Sequence, residues 1–113
     1  MRISKKTNLA ELNAQMESIS KAFFESKAQK KKKEFLNDYY DGDDFDTDDI
    51  LIERVECVYA QLDPLEQEFI NNEYFYEDYP YWWTGIYSES SFYRQKKKAV
   101  ISFLRLFYNE SLN

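Results

Sequence analysis

LDPLEQEFINNEYF, residues 62–75, is the stretch that decides how this chain folds. Asp63 is suited to cap a helix, Pro64 falls at the first helical position where a missing N–H costs nothing, and Glu66 completes a capping box. Leu65, Phe69 and Ile70 then face inward, and Asn71 and Asn72 permit an ending before Tyr74 and Phe75 resume the apolar surface. An aromatic connection follows, YPYWWTGIYS at 79–88, and after it comes ESSFYRQKKKAVISFLRLFY at 89–108. Ser88 is placed to cap this last helix, expected to run from Glu89 to about Tyr108.

Upstream of this segment the spacing predicts two more helices. Leu9, Leu12, Met16, Ile19 and Phe23 recur at steps of three and four, which puts them on one helical stripe, with Asn8 as N-cap. Two heptads are too few for a coiled coil. The stripe therefore packs on the rest of the domain or, as the alternative, forms a homodimer or partner-helix seam. It ends in Lys30, Lys31, Lys32 and Lys33, which read either as a solvated helix end or as a phosphate-contacting patch. A second helix is expected from Thr47 or Asp48 to about Leu62, with Asp48 and Asp49 at its positive end and Leu51, Val55, Val58 and Leu62 inward. The fold class expected is all-α: a small helical domain with a C-terminal helix-turn-helix (50–113), joined by an acidic linker (37–49) to an N-terminal amphipathic helical arm (1–36).

With 113 residues and only two Gly and two Pro, one small, mostly helical domain is expected, its buried surface supplied largely by Tyr and Phe. The net charge of −6 hides a partition: residues 1–36 hold nine basic and four acidic side chains, 37–81 one and fifteen, and 82–113 five and two. A polyanion meets local charge, so the acidic middle does not exclude one from the basic ends. Cys57 is the single cysteine; flanked by Val55, Val58 and Tyr59 it reads as a buried structural thiol, and a chain without a disulfide fits the cytoplasm. The opening MRISKKTNLAELNA has no apolar signal core, and no run is long enough to span a membrane. The acidic run NDYYDGDDFDTDD at 37–49 fails as a calcium loop. With Asp44, Asp46 and Asp48 as the first ligands, the turn glycine and the bidentate glutamate fall on Asp49 and Val55. That run reads as a linker that caps the next helix, or else as a docking strip for a basic surface. No metal or cofactor is expected. With no His, no glycine-rich phosphate loop and one Cys, an enzyme is not expected either.

The helix from Glu89 separates into two faces. At 100° per residue, Phe92, Ala99, Phe103, Leu106 and Phe107 cluster on the core side, while Ser90, Arg94, Lys97, Lys98, Ile101 and Arg105 lie opposite. That second face offers a basic stripe to a phosphate backbone, with Ser90, Ser91, Arg94 and Gln95 placed to reach base edges in a major groove. The alternative is an ordinary solvated face. Trp82, Trp83, Ile86 and Tyr87 form an apolar clamp setting one helix across another, core being the plainer role for such rings than a stacking platform for single strands.

LDPLEQEFINNEYF followed by YSESSFYRQKKKAVISFL resembles region four of bacterial sigma factors, and more closely the small sigma-like regulators of phages, the ArpU and RinA groups, with relatives in mollicutes. The resemblance covers about residues 62–108 and is most specific over Ser88, Ser90, Ser91, Phe92, Tyr93, Arg94, Lys97 and Ala99. It implies a recognition helix beginning at Ser88, DNA contacts from Ser90, Ser91, Arg94, Lys97 and Lys98, and contact with RNA polymerase. Two departures stand out. Residues 79–87, with Pro80 and Gly85, leave room for little more than one turn of the helix that normally precedes the reader, and nothing resembles a promoter-melting region. The function expected is non-catalytic DNA-binding transcription regulation on double-stranded DNA by the helix 89–108. The alternative is an interaction module that holds RNA polymerase or another partner through its acidic and aromatic surface.

Overall fold

Three helices begin where a side-chain oxygen takes up an amide that the helix itself leaves free. The computed structural model describes residues 3–36 and 47–109. α1 (Leu9–Phe35) starts with Asn8 Oδ1 accepting from the Glu11 N–H at 2.8 Å. α3 (Pro64–Ile70) has the full capping box: Asp63 accepts from the Glu66 N–H, and Glu66 accepts from the Asp63 N–H. α4 (Glu89–Phe107) begins with Ser88 Oγ accepting from the Ser91 N–H. Each cap satisfies a donor that would otherwise be stranded at the helix end, typically about 1 kcal/mol. α2 (Thr47–Gln61) carries Asp48 and Asp49 in its first turn, where the helix dipole favours them. The described residues form helices joined by turns and short irregular links, with no strand.

α3 does not stop at Asn71. It continues as a π-helical turn over Asn71–Phe75, closed by the Tyr76 N–H on the Asn71 carbonyl. Through this turn Tyr74, four residues after Ile70, joins the core that Phe69 and Ile70 already occupy, and Phe75 packs beside it. Ser20 of α1 donates to the Tyr74 carbonyl at 2.9 Å, satisfying a buried acceptor of this irregular turn. α4 ends at Tyr108 with Asn109 in the left-handed region, φ 55°. Arg54 of α2 donates to the Phe107 carbonyl at 2.9 Å and lies over the Phe107 ring, a cation at the negative end of α4.

α1, α2, α3 and Ile3, which precedes α1, surround α4 in one buried cluster. Leu12, Met16, Ile19 and Phe23 of α1 are buried in it, so this stripe packs on the chain's own core, the first of its two readings. Four expectations need correction. Ile101, placed opposite the core, is buried at 8% exposure, because Val100, Ile101 and Leu104 widen the buried face beyond one helical stripe. Cys57 is exposed; on α2 the inward set is Ile52, Val55, Val58 and Leu62, and two residues past Val55 is the far side of a helix. Leu51 packs only at the core edge, and Leu65, in the first turn of α3, is 41% exposed.

Phe69→Ala empties the space where four rings meet; chemical denaturation should report a loss of about 3–5 kcal/mol. Burial pushes the Tyr74 hydroxyl, bonded to Asn13, well above the ordinary tyrosine value of 10.0. Its folded value exceeds its unfolded one, so the stability it contributes is present below about pH 10 and falls as pH rises further. Tyr74→Phe should flatten that alkaline decline, measured by urea unfolding across the alkaline range.

Candidate nucleic-acid interface

Phe92, one turn into α4, stacks on Trp83 at 4.4 Å between ring centroids and 16° between planes, and on Phe69 of α3 at 5.7 Å. Trp82 meets both Phe69 and Phe92 edge-on, and Tyr87 packs on Phe69. Rings in these offset and edge geometries add about 0.5–1.5 kcal/mol per pair beyond burial. The connection itself is a run of tight turns: Trp82 to Tyr79, Thr84 to Tyr81, Ile86 to Trp83, then Tyr87 to Trp83 at 3.0 Å. No α-helix forms over 79–87, in line with the brevity read from the sequence. Gly85, at φ +87°, reverses the chain where a side chain would be strained. Trp82, Trp83 and Tyr87 therefore point inward, whereas Ile86 is 65% exposed and takes no part in the clamp expected of it.

Glu73, on the π-turn, fastens this arrangement. One carboxylate oxygen accepts from Trp82 Nε1 at 2.8 Å and the other meets Lys96 Nζ at 2.9 Å, with both charged side chains largely enclosed. Lys96 also lies over the Tyr74 and Phe92 rings. Lys96 belongs to the inward side of α4, four residues after Phe92, a position its helical phase already marks.

The basic stripe read from α4 is divided. Ser90, Arg94 and Lys98 are exposed, and Ser91, Gln95, Lys97 and Arg105 are half-buried. Ser90 Oγ lies 3.4 Å from Ser88 Oγ, and Arg94 donates to Ser91 Oγ at 3.1 Å. Lys97 Nζ donates to the Lys5 carbonyl at 2.7 Å, and Arg105 Nε to the Ile3 carbonyl at 3.2 Å. The N-terminal segment thus runs beside the C-terminal part of the stripe, and Arg105 is drawn into holding it. Ser90, Ser91, Arg94, Gln95, Lys97 and Lys98 remain together over the first turns of α4. Among the described residues no carboxylate pairs with Arg94, Lys97 or Lys98.

The lysine run of α1 is engaged elsewhere. Lys30 meets Asp49 at 3.0 Å and Lys33 meets Asp48 at 3.3 Å, so the described end of the acidic stretch neutralises part of that run. Asp49 beside Lys30 raises the lysine's pKa, first through the hydrogen bond and then through its charge. The rest of the acidic run, 37–46, including Asp44 and Asp46, lies outside the described residues. Within them no cluster of three or more potential metal ligands occurs, and no helix is long and apolar enough to cross a membrane. No family model, curated protein or solved structure matches the chain.

A double-mutant cycle over Glu73→Ala and Lys96→Ala should give a coupling of about 1–3 kcal/mol. Tryptophan emission should shift red in Glu73→Ala as Trp82 loses its acceptor. A coupling near zero makes the pair incidental to the position of the turn.

Proposed function

We propose that this protein is a non-catalytic, DNA-binding transcription regulator that lays the first turns of α4 in the major groove of double-stranded DNA, in the manner of sigma region four. The observation that carries the reading is the asymmetry of α4. Its second half is enclosed by the core at Ala99, Val100, Ile101, Phe103 and Leu104, while its first ten residues expose Ser90, Arg94 and Lys98. A reading helix needs such rooting, because phosphate contacts position a protein only if the helix beneath them does not move. The chain order supports it too: a capped helix, a tight connection turned at a positive-φ glycine, then a basic helix packed against the first. Arg94 and Lys98 serve as phosphate contacts, Ser90 and Gln95 as groups for base edges, and Lys97 as a contact close to the N-terminal segment. The work fits the cytoplasm, with RNA polymerase as a protein partner.

A second reading is favoured by a different surface. Tyr76, Glu77, Asp78, Tyr79, Pro80 and Tyr81 are consecutive and exposed, an acidic and aromatic strip that suits a basic protein surface. In that case polymerase or another partner is held there and α4 serves as scaffold. Copurification with polymerase together with no DNA shift at low salt selects this reading.

Arg94→Ala/Lys98→Ala should leave the far-ultraviolet circular dichroism unchanged, both side chains being exposed. It should also lower the slope of log affinity for duplex DNA against log salt by about 0.9 for each phosphate that is no longer neutralised. An unaltered salt series overturns the DNA reading.

A further inference from the structure

We propose that the N-terminal segment is a second, built-in part of the nucleic-acid surface, with Lys5 and Lys6 extending the α4 patch along the duplex backbone. The inference rests on the DNA reading of α4. Ile3 is buried at 1% exposure in the core, and its carbonyl accepts from Arg105 of α4. Two residues on, the Lys5 carbonyl accepts from Lys97 Nζ, so the segment runs antiparallel to α4 and is held at two points. Ser4 and Thr7 close a local turn, the Ser4 N–H donating to Thr7 Oγ1 and the Thr7 N–H to the Ser4 carbonyl, which sets the segment before the Asn8 cap of α1.

The consequence is electrostatic. Backbone carbonyls, not carboxylates, hold Lys97 and Arg105, so both cations keep their full charge while the segment adds two more. Lys5 and Lys6 are exposed, and among the described residues neither pairs with a carboxylate. With Arg94, Lys97 and Lys98 they make five cations on α4 or on the segment tethered beside it, in a protein whose overall charge is −6. Such a concentration suits a ligand with regularly repeated negative charge and a stiff backbone, which is duplex nucleic acid. The anchoring matters because the two lysines then sit at a fixed place relative to α4, and their contacts cost little ordering on binding.

Lys5→Ala/Lys6→Ala is compared with Lys31→Ala/Lys32→Ala, which removes the same charge from exposed positions about 35 Å further along α1. The probe is a fluorescein-labelled mixed-sequence DNA duplex, titrated by anisotropy through a potassium chloride series. The segment variant is expected to reduce the salt slope by about 1.8, two phosphates at about 0.9 each, with the control at the wild-type slope. An unchanged slope in the segment variant, or an equal reduction in the two variants, overturns the proposal and leaves the reading of α4 intact. If the wild-type chain does not bind the duplex even at the lowest salt, both fall together.

Discussion

Phe92 stacks on Trp83 and on Phe69, so one side chain joins the first turns of α4, the aromatic connection and α3. The connection makes no α-helix of its own over 79–87, and without these rings it has no means of fixing the crossing of the two helices. Glu73 completes the join from the other side, through Trp82 and Lys96. A chain this small buries limited apolar area. It therefore places large planar side chains where three elements meet, and Phe69, Trp82, Tyr87 and Phe92 each contribute to more than one ring contact.

The charge pattern is shaped by which elements meet. An acidic middle between basic ends invites self-association of the chain's own opposite charges. The structure describes that meeting in two places, Glu73 with Lys96 of α4 and, between α1 and α2, Lys30 with Asp49 and Lys33 with Asp48. The two α1–α2 pairs are partly open to solvent and add little to stability. Their importance is that the acids of the α2 start are engaged by α1, leaving Arg94, Lys97 and Lys98 of α4 without a carboxylate among the described residues. Overall charge is thus a poor guide to what a ligand meets at α4.

Local chemistry was legible in the sequence, and global enclosure was not. Asn8, Asp63 and Ser88 announced their helices because capping depends on a few neighbouring residues. The α1 stripe was equally legible, since its steps of three and four fix a face whatever covers it. Ile101 was misplaced because a helical projection assumes one buried side, and α4 has neighbours on several, including Ile3 at the far end of the chain. The π-turn was invisible because Asn71 and Asn72 mark an ending in a local scheme, whereas the contacts made by the turn, Ser20 on the Tyr74 carbonyl and Tyr74 in the core, reach elements distant in sequence. Cys57 was a different failure, since its apolar neighbours in sequence suggested burial that its helical phase contradicted. In the candidate site, the exposed Ser90, Arg94 and Lys98 could be read from phase alone. The tethering of Lys97 and Arg105 required knowledge of where residues 3–5 lie.

The bond from Arg105 to the Ile3 carbonyl joins positions 102 residues apart. During synthesis α1 leaves the ribosome with Leu12, Met16, Ile19 and Phe23 uncovered, and α4, the helix that fills the centre, arrives last among the described elements. Contacts this distant in sequence form late and slow folding. α2 packs on α1 before α4 emerges, but the part of the α1 stripe that α4 covers stays open until late in translation, an interval in which chaperones have something to hold. The same ordering means that the five-cation surface cannot assemble on a truncated chain, so fragments released before α4 is made carry α1's lysines but no organised patch.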